Sequence, residues 1–448
     1  MYWANFLHIY QPPTQTKEIL DRVVNESYRK IIAGLLANPN AKVTLNINGV
    51  LTQMLAENGY QDVIDGLKTL LDRGQMELTA SAKYHPLLPK MPDDVIIRQV
   101  EHNNQTNQKY FGNLYQPQGF FPPEMAYNDQ VGRIVKSLGY KWIILDEMAC
   151  SVPYDPSKTY KNAEGLFFFF RERGASFKIL SAQLGTAKSV VREFADRLPK
   201  NEYLLTAMDG ETFGHHRLGL EQLLLEIYQS SELPTVTISK LLDLFPEAVE
   251  VKPHPSTWAL MPRDVQKNTP FSRWDDPTNQ IHQKQWELTN LALLLSKNEK
   301  EEEKHLLDQS LHSDQYWWAS AKPWWSLEMI ERGAYDLLSA IRHFKSVSEA
   351  DQKKAWGLYI EIITTGFAWQ RTGKVADLSR KEDEEIKEMM GTDQPWLSQE
   401  DYQAMIATLN KQMLAAAADQ EYARADQFRK RIEELNSKSH DVDIKVNQ

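Results

Sequence analysis

The sequence predicts an α/β protein in which a sheet domain precedes a helical domain, and three observations support this. Short apolar runs alternate with amphipathic stretches up to about residue 275, as in parallel α/β sheets. Strand patterns then fade and long helical stretches follow. Near the end, a segment rich in Ala, Gln, Glu and Arg contains two helical stretches. We expect a sheet domain over residues 1–275, a helical domain over 276–380 and a helical hairpin over 395–438.

The sheet domain is predicted strand by strand from short runs of apolar, β-branched and aromatic residues. Its predicted strands are residues 2–9, 42–47, 76–80, 119–121, 142–145, 167–170 and 202–208. The helices predicted between them are residues 18–36, 62–72, 92–112, 130–138 and 218–230. This alternation favours a parallel sheet, either doubly wound or closed into a barrel. In both folds the functional residues lie at the carboxyl ends of the strands.

The helical domain is predicted from four stretches with helical spacing, at residues 283–295, 301–311, 326–343 and 352–366. A tryptophan-rich run, residues 316–325, joins two of them. The charge-rich residues 381–390 are expected to form a linker or an exposed helix. Ser398 and Asp401 stand three apart, as in a capping box, and mark the start of the hairpin.

The overall composition limits which ligands the protein can attract and indicates the compartment in which we expect it. The chain has 51 Lys and Arg against 61 Asp and Glu, a net charge of −10, so a general attraction to nucleic acid or to an anionic membrane is excluded. Its single cysteine, Cys150, excludes an intrachain disulfide and a cysteine-based zinc site, which suits a reducing cytoplasm. We expect a cytoplasmic protein, since neither an export segment nor ~20 consecutive apolar residues occur.

Two carboxylate segments at turns are the candidates for catalysis. Glu124 follows Pro122-Pro123, which cannot donate ladder hydrogen bonds and so ends a strand. Asp209 and Glu211 follow the last predicted strand, beside glycines that allow a tight turn and close approach by a ligand. The alternatives are a surface turn for Glu124 and a helix N-cap for Asp209. Two such segments in a chain with 12 tryptophans suggest sugar chemistry.

Other polar residues are assigned to the ends of the first and third predicted strands. His8 and Gln11 end the first, and Glu77 and His85 are assigned to the end of the third. A single histidine is more often structural than catalytic, but several at matching strand ends favour a binding site. We therefore expect these four side chains to bind substrate.

A tryptophan side chain can either stack on a sugar ring or pack in the protein core. For any single tryptophan, core packing is the more frequent outcome. Four of them have polar neighbours in sequence and are the better candidates for stacking: Trp258, Trp274, Trp317 and Trp318.

A metal site is the competing interpretation of the second carboxylate segment. His215 and His216 lie close to Asp209 in sequence, which suggests zinc or the metal centre of a sugar deacetylase. No two histidines of the chain are four apart, however, and adjacent histidines point in different directions. Nucleotide-binding glycine motifs are also absent. We expect no metal and no cofactor.

Four segments, taken in order, resemble the motifs of glycoside hydrolase family 57. They are His8-Ile9-Tyr10-Gln11-Pro12, Gly74-Gln75-Met76-Glu77-Leu78, Phe121-Pro122-Pro123-Glu124-Met125-Ala126-Tyr127 and Met208-Asp209-Gly210-Glu211-Thr212-Phe213-Gly214-His215. A fifth region is placed around residues 271–282, and residues 313–318 resemble the helical part of the family. The resemblance covers roughly residues 1–370. It implies an incomplete (β/α)7 barrel followed by a helical domain.

The resemblance also implies a reaction and the residues that perform it. Glu124 matches the family's nucleophile and Asp209 its general acid/base, in a retaining reaction on α-glucans without a catalytic metal. Glu211 and His215 lie in the same segment as Asp209, and we expect both to bind substrate. Tyr10 stands where many members have a second histidine, which bears on how the first sugar is held.

The C-terminal hairpin resembles the UVR motif of nucleotide-excision-repair proteins, a protein-contact hairpin. The resemblance rests on residues 421–432. We expect an α-glucan or maltooligosaccharide substrate and a protein partner that binds residues 395–438. Nucleic acid and membrane are not expected as partners.

Double displacement is the predicted mechanism, with Glu124 attacking the anomeric carbon and Asp209 acting first as acid and then as base. The short stretch between these residues favours an α-amylase or 4-α-glucanotransferase acting on α-1,4 bonds. Two alternatives remain open. One is a non-catalytic glucan-binding or scaffold protein that recruits partners through the hairpin. The other is a metal-dependent carbohydrate deacetylase.

Overall fold

The computed structural model describes residues 1–390 and 397–446, in which strands and helices alternate before a helical region. The strands are β1 (Tyr2–Ile9), β2 (Val43–Ile47), β3 (Met76–Thr79), β4 (Gly119–Phe120), β5 (Trp142–Asp146), β6 (Thr159–Lys161), β7 (Phe167–Arg171), β8 (Tyr203–Asp209), β9 (Thr235–Val236) and β10 (Ala248–Glu250).

The helices of the first part of the chain lie between these strands. They are α1 (Lys17–Val23), α2 (Arg29–Ala37), α3 (Gly49–Glu57), α4 (Gln61–Asp72), α5 (Asp93–Phe111), α6 (Asp129–Ser137), α7 (Arg173–Leu180), α8 (Ala187–Glu193), α9 (Glu221–Gln229), α10 (Ile238–Leu244) and α11 (Pro262–Gln266). Those that follow are α12 (Gln280–Leu295), α13 (Glu301–Ser310), α14 (Asp314–Trp317), α15 (Leu327–His343), α16 (Glu349–Arg371), α17 (Lys374–Met390), α18 (Gln399–Ala418) and α19 (Tyr422–Val446).

The strands form two sheets whose edges meet. The first has the order β3-β2-β1-β8, with β9 also paired to β1, and the second has the order β10-β6-β7-β5-β4. All the pairs are parallel except β6–β7. Ala80 and Phe120 form a parallel bridge between the sheets, and the Glu172 amide after β7 donates to the Leu205 carbonyl of β8 at 2.8 Å. The predicted α/β class, with a mostly parallel sheet and a helical C-terminal region, is confirmed.

Strand register places polar side chains in a row at the carboxyl ends. His8 in β1 pairs with Asn46 of β2 on one side and with Asp209 of β8 on the other. Asn46 pairs in turn with Thr79 at the end of β3. Strands β1 and β2 are mostly apolar and almost fully buried, as expected of a parallel sheet with helices on both faces. The sheet therefore presents its polar groups at one rim.

Several predicted elements coincide with observed ones. The predicted strand at residues 2–9 is β1, and the four-phenylalanine run predicted as a strand lies in β7. The predicted helix at residues 18–36 is divided into α1 and α2 by a π-helical turn, Val24–Tyr28. Residues 381–390 belong to α17, so the helix rather than the linker is observed there.

The helical region packs around an aromatic pair and reaches back to the sheet. The rings of Trp286 and Tyr316 stack with centroids 4.3 Å apart. The short helix α14 begins beside Ser313, whose amide donates to the His85 carbonyl oxygen at 2.9 Å. The start of α14 is thus held against the carboxyl end of β3.

The C-terminal hairpin, α18 and α19, docks on the sheet domain. Ser398 and Asp401 form the predicted capping box at the start of α18. Asp401 also accepts a hydrogen bond from Thr186 at 2.7 Å and pairs with Arg192 at 2.6 Å. Within the described part of the chain, every helix is too short or too polar to cross a membrane.

Candidate active site

Glu124 enters the cleft through a turn with an unusual backbone. After β4, Pro122-Pro123 leads into a 3-10 turn in which Glu124 has φ of 62° and Met125 has φ of 48°. This left-handed conformation is uncommon for residues with a side chain and often occurs at functional sites. The Trp258 amide donates to the Glu124 carbonyl oxygen at 3.1 Å and holds the turn. The side chain is only 12% exposed, so Glu124 is not a surface-turn residue.

Two neutral donors hold the Glu124 carboxylate. The Ser313 hydroxyl donates to Oε1 at 2.8 Å. The Trp258 indole N–H donates to Oε2, also at 2.8 Å. Because each oxygen has its own donor, the plane of the group is fixed, and these two bonds oppose the rise in its pKa that burial causes.

Asp209 is the last residue of β8, and its neighbours differ from those of Glu124. Gly210 follows it, where a Cβ would lie 2.5 Å from the Ile9 side chain. Asp209 makes no side-chain cap to the turn that follows, so the N-cap alternative is not observed. Burial raises the pKa of Asp209 to about 7, with Arg171 opposing and Asp314 adding to the rise.

A third carboxyl group, Asp314, comes from the helical region. It accepts a hydrogen bond from the Tyr10 hydroxyl at 2.8 Å, and His312 Nδ1 lies 3.2 Å from the same oxygen. Burial alone would raise the pKa of Asp314, but His312 and Tyr10 outweigh it, so this pKa lies below its usual value. Asp314 therefore keeps its negative charge inside the site.

The three carboxyl groups share one electrostatic environment. Burial raises the pKa of Glu124 to about 8, and Asp314 and Asp209 add to the rise while the bond from Ser313 opposes it. Glu124 and Asp209 are thus within electrostatic reach of each other, on the same side of the molecule. Buried carboxyl groups that repel each other in this way share protons near neutral pH.

Aromatic rings from the strand ends line the same space. The His85 ring lies 4.2 Å from Tyr10 and 5.1 Å from His8, whose rings are 6.0 Å apart, so the three form one cluster. His8 also lies 4.5 Å from the Phe121 ring and 5.9 Å from the Trp258 ring. The structure therefore brings His8, His85 and Trp258 together around Glu124, as the sequence analysis expected of substrate-binding residues.

The side chains of Glu211 and Gln11 are hydrogen-bonded to each other. The Glu211 carboxylate accepts from Gln11 at 3.2 Å, from the Tyr10 amide at 3.3 Å and from the Tyr28 hydroxyl. Burial and the charge of Asp209 raise the pKa of Glu211 to about 8. This carboxyl group braces the turn after β1 and thereby positions Tyr10.

Two expected substrate-binding residues lie elsewhere, which corrects the sequence analysis. Glu77 lies near the start of β3, where its carboxylate accepts from Thr44 at 2.7 Å and from the Ser239 amide at 3.0 Å. It therefore holds the first turn of α10 at the opposite end of the strand. Trp274 is fully buried and packs on Trp317, with centroids 5.1 Å apart, so its faces belong to the core.

The remaining candidates lie at the edges of the site. His215 is bonded through Nδ1 to Glu26 at 2.5 Å and is 16% exposed. Trp317 and Trp318 are partly buried, and both rings approach Trp324, at 6.4 and 6.0 Å. They follow Asp314 in the chain, and Trp317 also packs on the buried Trp274.

Sequence reasoning missed the contribution of residues 312–314 to the site. The fifth region was placed at residues 271–282, but His282 is fully buried and bonded to the Tyr316 carbonyl at 2.9 Å. Ser313 and Asp314 reach the carboxyl groups instead. The segment His-Ser-Asp before an aromatic run was the available signal. Among the described residues, no group of three or more His, Cys, Asp or Glu side chains is arranged to hold a metal ion.

Two buried carboxyl groups, Glu124 and Asp209, thus lie at the carboxyl ends of parallel strands, both with raised pKa values and Glu124 with a donor on each oxygen. The family model "Glycosyl hydrolase family 57" matches residues 4–251, more than half of the chain. The chain belongs to this family.

Relatives and solved structures agree with this assignment. A putative alpha-amylase from Methanocaldococcus jannaschii is 26% identical over 271 residues, covering 56% of this chain and 57% of that protein. A 4-alpha-glucanotransferase from Thermococcus kodakarensis is 26% identical over 151 residues, covering 33% and 22%. The solved 4-alpha-glucanotransferase from Thermococcus litoralis aligns with a TM-score of 0.60 at 17% identity, covering 77% of this chain and 59% of that one.

A branching enzyme of the same family adds a second structural likeness. The enzyme, from Pyrococcus horikoshii, aligns with a TM-score of 0.58 at 15% identity, covering 82% of this chain and 96% of that one. At these identities the structural likeness concerns the fold. The chain spans 57% of the amylase and 22% of the glucanotransferase that it matches in sequence.

Proposed function

We propose that this protein is a retaining glycosidase or transglycosidase that acts on the α-1,4 bonds of α-glucans. One observation carries the proposal: Glu124 and Asp209 are both buried at the strand ends, the charge of Asp209 acts on Glu124, and Glu124 alone has a fixed donor on each oxygen. Glu124 has a donor on each oxygen, as a charged nucleophile needs. Asp209 has a pKa raised to about 7, as a group that must deliver a proton near neutral pH needs.

The first step forms a glycosyl-enzyme ester. Glu124 attacks the anomeric carbon, and the bond between that carbon and the glycosidic oxygen breaks. The proton on Asp209 passes to the leaving oxygen, so the shortened glucan departs as an alcohol. Asp314 remains charged close to the developing positive charge of the sugar ring and stabilises it.

The second step releases the sugar. Asp209, now a carboxylate, takes a proton from water or from the hydroxyl of an acceptor sugar. The activated oxygen attacks the anomeric carbon, the ester to Glu124 breaks, and Asp209 is protonated again. Two inversions at one carbon give net retention of configuration.

The side chains around the carboxyl groups would hold the sugar. His8 and His85 present polar edges, Tyr10 carries its hydroxyl on Asp314, and Trp258 offers an aromatic face. Trp317 and Trp318 border the neighbouring space and would stack on the next sugar. Tyr10 stacks on His85 and is fixed by Asp314, so it limits the width of the cleft there.

The test is incubation with maltooligosaccharides of defined length, with products separated by size. We expect shorter products alone for hydrolysis, or a ladder of shorter and longer products for transfer. Glu124→Gln and Asp209→Asn should each lose at least ~100-fold in turnover, because each removes a step of the mechanism. Glu77→Gln is the matched control, a buried carboxyl change away from the site, and it should keep its turnover.

Two outcomes would reject the proposal. Near wild-type turnover in either site variant would show that the assigned residue is not required. Glucan binding without turnover across the whole series would leave a non-catalytic glucan-binding protein instead.

The finer architecture and partner assignments belong to the same proposal. The seven parallel strands β1, β2, β3, β4, β5, β7 and β8 would be the incomplete (β/α)7 barrel. The hairpin would be a UVR-like contact for another cytoplasmic protein. Because its apolar side rests on Leu218 of the sheet domain, a partner would bind its outer, charged side. Co-purification with and without residues 397–448 tests this.

A further inference from the structure

A continuous run of hydrogen bonds connects strand β2 to the Glu124 carboxyl group. Asn46 Oδ1 lies 2.8 Å from His8 Nδ1, and His8 Nε2 lies 3.1 Å from His85 Nε2. His85 Nδ1 lies 2.9 Å from Ser313 Oγ, which lies 2.8 Å from Glu124 Oε1. Apart from Glu124, every member is at most 3% exposed. We call these five residues the relay chain.

The chemistry of the members makes the relay chain directional. A neutral imidazole carries one N–H, so each histidine that bonds at both nitrogens donates at one and accepts at the other. The serine hydroxyl has one proton, which goes either to Glu124 or to His85. With neutral histidines, all the bonds therefore point the same way, and reversing one reverses them all.

When Glu124 is charged, the two ends of the relay chain favour opposite directions of hydrogen-bond donation. A charged Glu124 accepts from Ser313, so His85 must donate to Ser313 and His8 must donate to His85. At the other end, the Asn46 amide nitrogen is used on Thr79 at 3.1 Å, which leaves its oxygen to accept from His8. Both ends are satisfied with Glu124 charged only when His8 carries a proton on each nitrogen.

A proton shift along the relay chain interconverts the two satisfied states. In one, Glu124 is protonated and His8 is neutral. In the other, the proton of Glu124 has passed to Ser313 Oγ, the serine proton to His85 Nδ1, and the proton of His85 Nε2 to His8 Nε2. One proton has moved from Glu124 to His8, and no other reactant is involved.

We propose that the relay chain sets the ionisation of the nucleophile, with His8 as the proton acceptor and Ser313 and His85 as positioning residues. This inference rests on the proposed function, because it assumes that Glu124 must be charged to attack. Burial and the neighbouring His85 hold the pKa of His8 well below its usual value, with Asn46 and Asp314 opposing, so the state with protonated Glu124 and neutral His8 predominates in the free protein. The shift to His8 gives Glu124 a route to its charged form that leaves the proton of Asp209 in place.

The other ionisable groups that face Glu124 act from different elements. Asp314 of α14 and Asp209 of β8 both raise the pKa of Glu124. His85 Nδ1 lies 3.7 Å from the Glu124 carboxyl, and Tyr10 remains neutral near neutral pH because burial and Asp314 raise its pKa. Asn46 contacts none of these carboxyl groups, so a change there reaches Glu124 either through the relay chain or through its charge.

Asn46→Asp separates these two routes by the direction of its effect. Beside an aspartate, His8 becomes an imidazolium, so His8 Nε2 donates and the relay chain points toward Glu124. The pKa of Glu124 then falls, and the acidic limb of the kcat/KM profile moves to lower pH by ~0.5 or more. An aspartate beside a His8 that stayed neutral would instead repel the Glu124 carboxylate and move that limb to higher pH. A shift to higher pH, or none, overturns the proposal.

Matched variants keep the result interpretable. Asn5→Asp makes the same change at a buried position of the neighbouring strand β1, outside the relay chain, and should not move the acidic limb to lower pH. Ser313→Ala removes the donor to Glu124 and should move the limb to higher pH, with Ser313→Thr restoring it. Ser310→Ala removes a buried hydroxyl bonded to the Leu306 carbonyl and should leave the limb unchanged.

These measurements stand apart from the test of the function. If Glu124→Gln keeps its turnover, the proposed function fails and the relay chain has no nucleophile to serve. If Glu124→Gln is inactive but Asn46→Asp shifts the limb upward, the function stands and the relay chain is rejected. Should Asn46→Asp fail to fold, an unmoved limb in Ser313→Ala would overturn the proposal by itself.

Discussion

Glu124 and Asp209 differ in how the protein treats their charge. Glu124 has a hydroxyl and an indole N–H on its two oxygens, while burial dominates at Asp209. Their pKa values, raised to about 8 and about 7, are close, so the two groups change protonation over the same pH range. In the proposed mechanism the productive form is the one in which Asp209 holds the proton and Glu124 is charged.

The pH dependence of kcat/KM should reflect this pair. At low pH Glu124 is protonated and cannot attack, and at high pH Asp209 is ionised and cannot donate. We expect a bell-shaped profile centred between the two values, about 7 and about 8, measured on a maltooligosaccharide. A maltosyl fluoride, whose leaving group needs no proton, should lose the basic limb. A basic limb that is identical on both substrates would contradict the role of Asp209.

Burial of Asp209 should also cost stability in a pH-dependent way. Its folded pKa of about 7 lies above the unfolded value, so its contribution to stability is present at low pH and is lost as the pH rises through about 7. Asp209→Asn removes this loss. We expect its unfolding temperature to exceed that of the wild type by ~1–3 °C at pH 8 and by less at pH 5, measured by calorimetry.

Asp65→Asn serves as the control for this measurement, because Asp65 is exposed on α4. It should change the unfolding temperature by the same amount at both pH values. If Asp209→Asn also changes the unfolding temperature equally at both pH values, the buried charge of Asp209 does not destabilise the folded protein.

At the scale of elements, Asp401 connects the N-termini of two helices, α18 and α8. It belongs to the capping box of α18 and also accepts from Thr186, the N-cap residue of α8. Burial opposes its charge, but Arg192, Thr186 and Ser398 lower the pKa of Asp401 to about 2. Its contribution to stability is therefore present above about pH 4 and lost as the pH falls toward about 2.

Removing Asp401 should loosen the hairpin. Asp401→Ala takes away the cap of α18 and leaves Arg192 and Thr186 without this partner, at a cost of about 2–4 kcal/mol. Faster hydrogen exchange over residues 397–439 measures the effect. Asp426→Ala, which removes an ion-paired carboxylate on α19, is the control and should exchange nearly as the wild type does. Equal exchange in both variants would mean that the caps do not hold the hairpin.

The limits of sequence reasoning also appear at this scale. Glu124 and Asp209 could be found because each follows a strand and sits beside prolines or glycines, which are local signals. Glu77 was misplaced because it lies near the start of β3, and a shift of a few residues along a strand moves a side chain to the opposite rim. Polar neighbours of Trp274 did not reveal that another tryptophan covers it.

Long-range contacts were beyond the sequence patterns. Ser313 bonds to Glu124 across 189 residues of chain, and Tyr10 bonds to Asp314 across 304. No periodicity or spacing encodes such pairs, because they depend on how the helical region docks on the sheet. The α/β class and the start of the hairpin were predictable, since their signals lie within a few residues of each other.

At the scale of the whole molecule, the site is completed by both regions of the chain. The strand ends supply Glu124, Asp209 and His8, and the helical region supplies Ser313 and Asp314. Asp314 raises the pKa of both catalytic candidates, so the helical region tunes the chemistry as well as closing the cleft. The proposed mechanism depends on a covalent bond between the substrate and Glu124.

Mass spectrometry of Asp209→Asn treated with maltosyl fluoride tests that bond most directly. The fluoride leaves without a proton, but without Asp209 the second step stalls, so the glycosyl-enzyme should accumulate. We expect the intact mass to rise by one maltosyl group, and peptide mapping to place that group on Glu124. A label on another residue, or turnover of the fluoride without any adduct and with inverted configuration, would contradict the account.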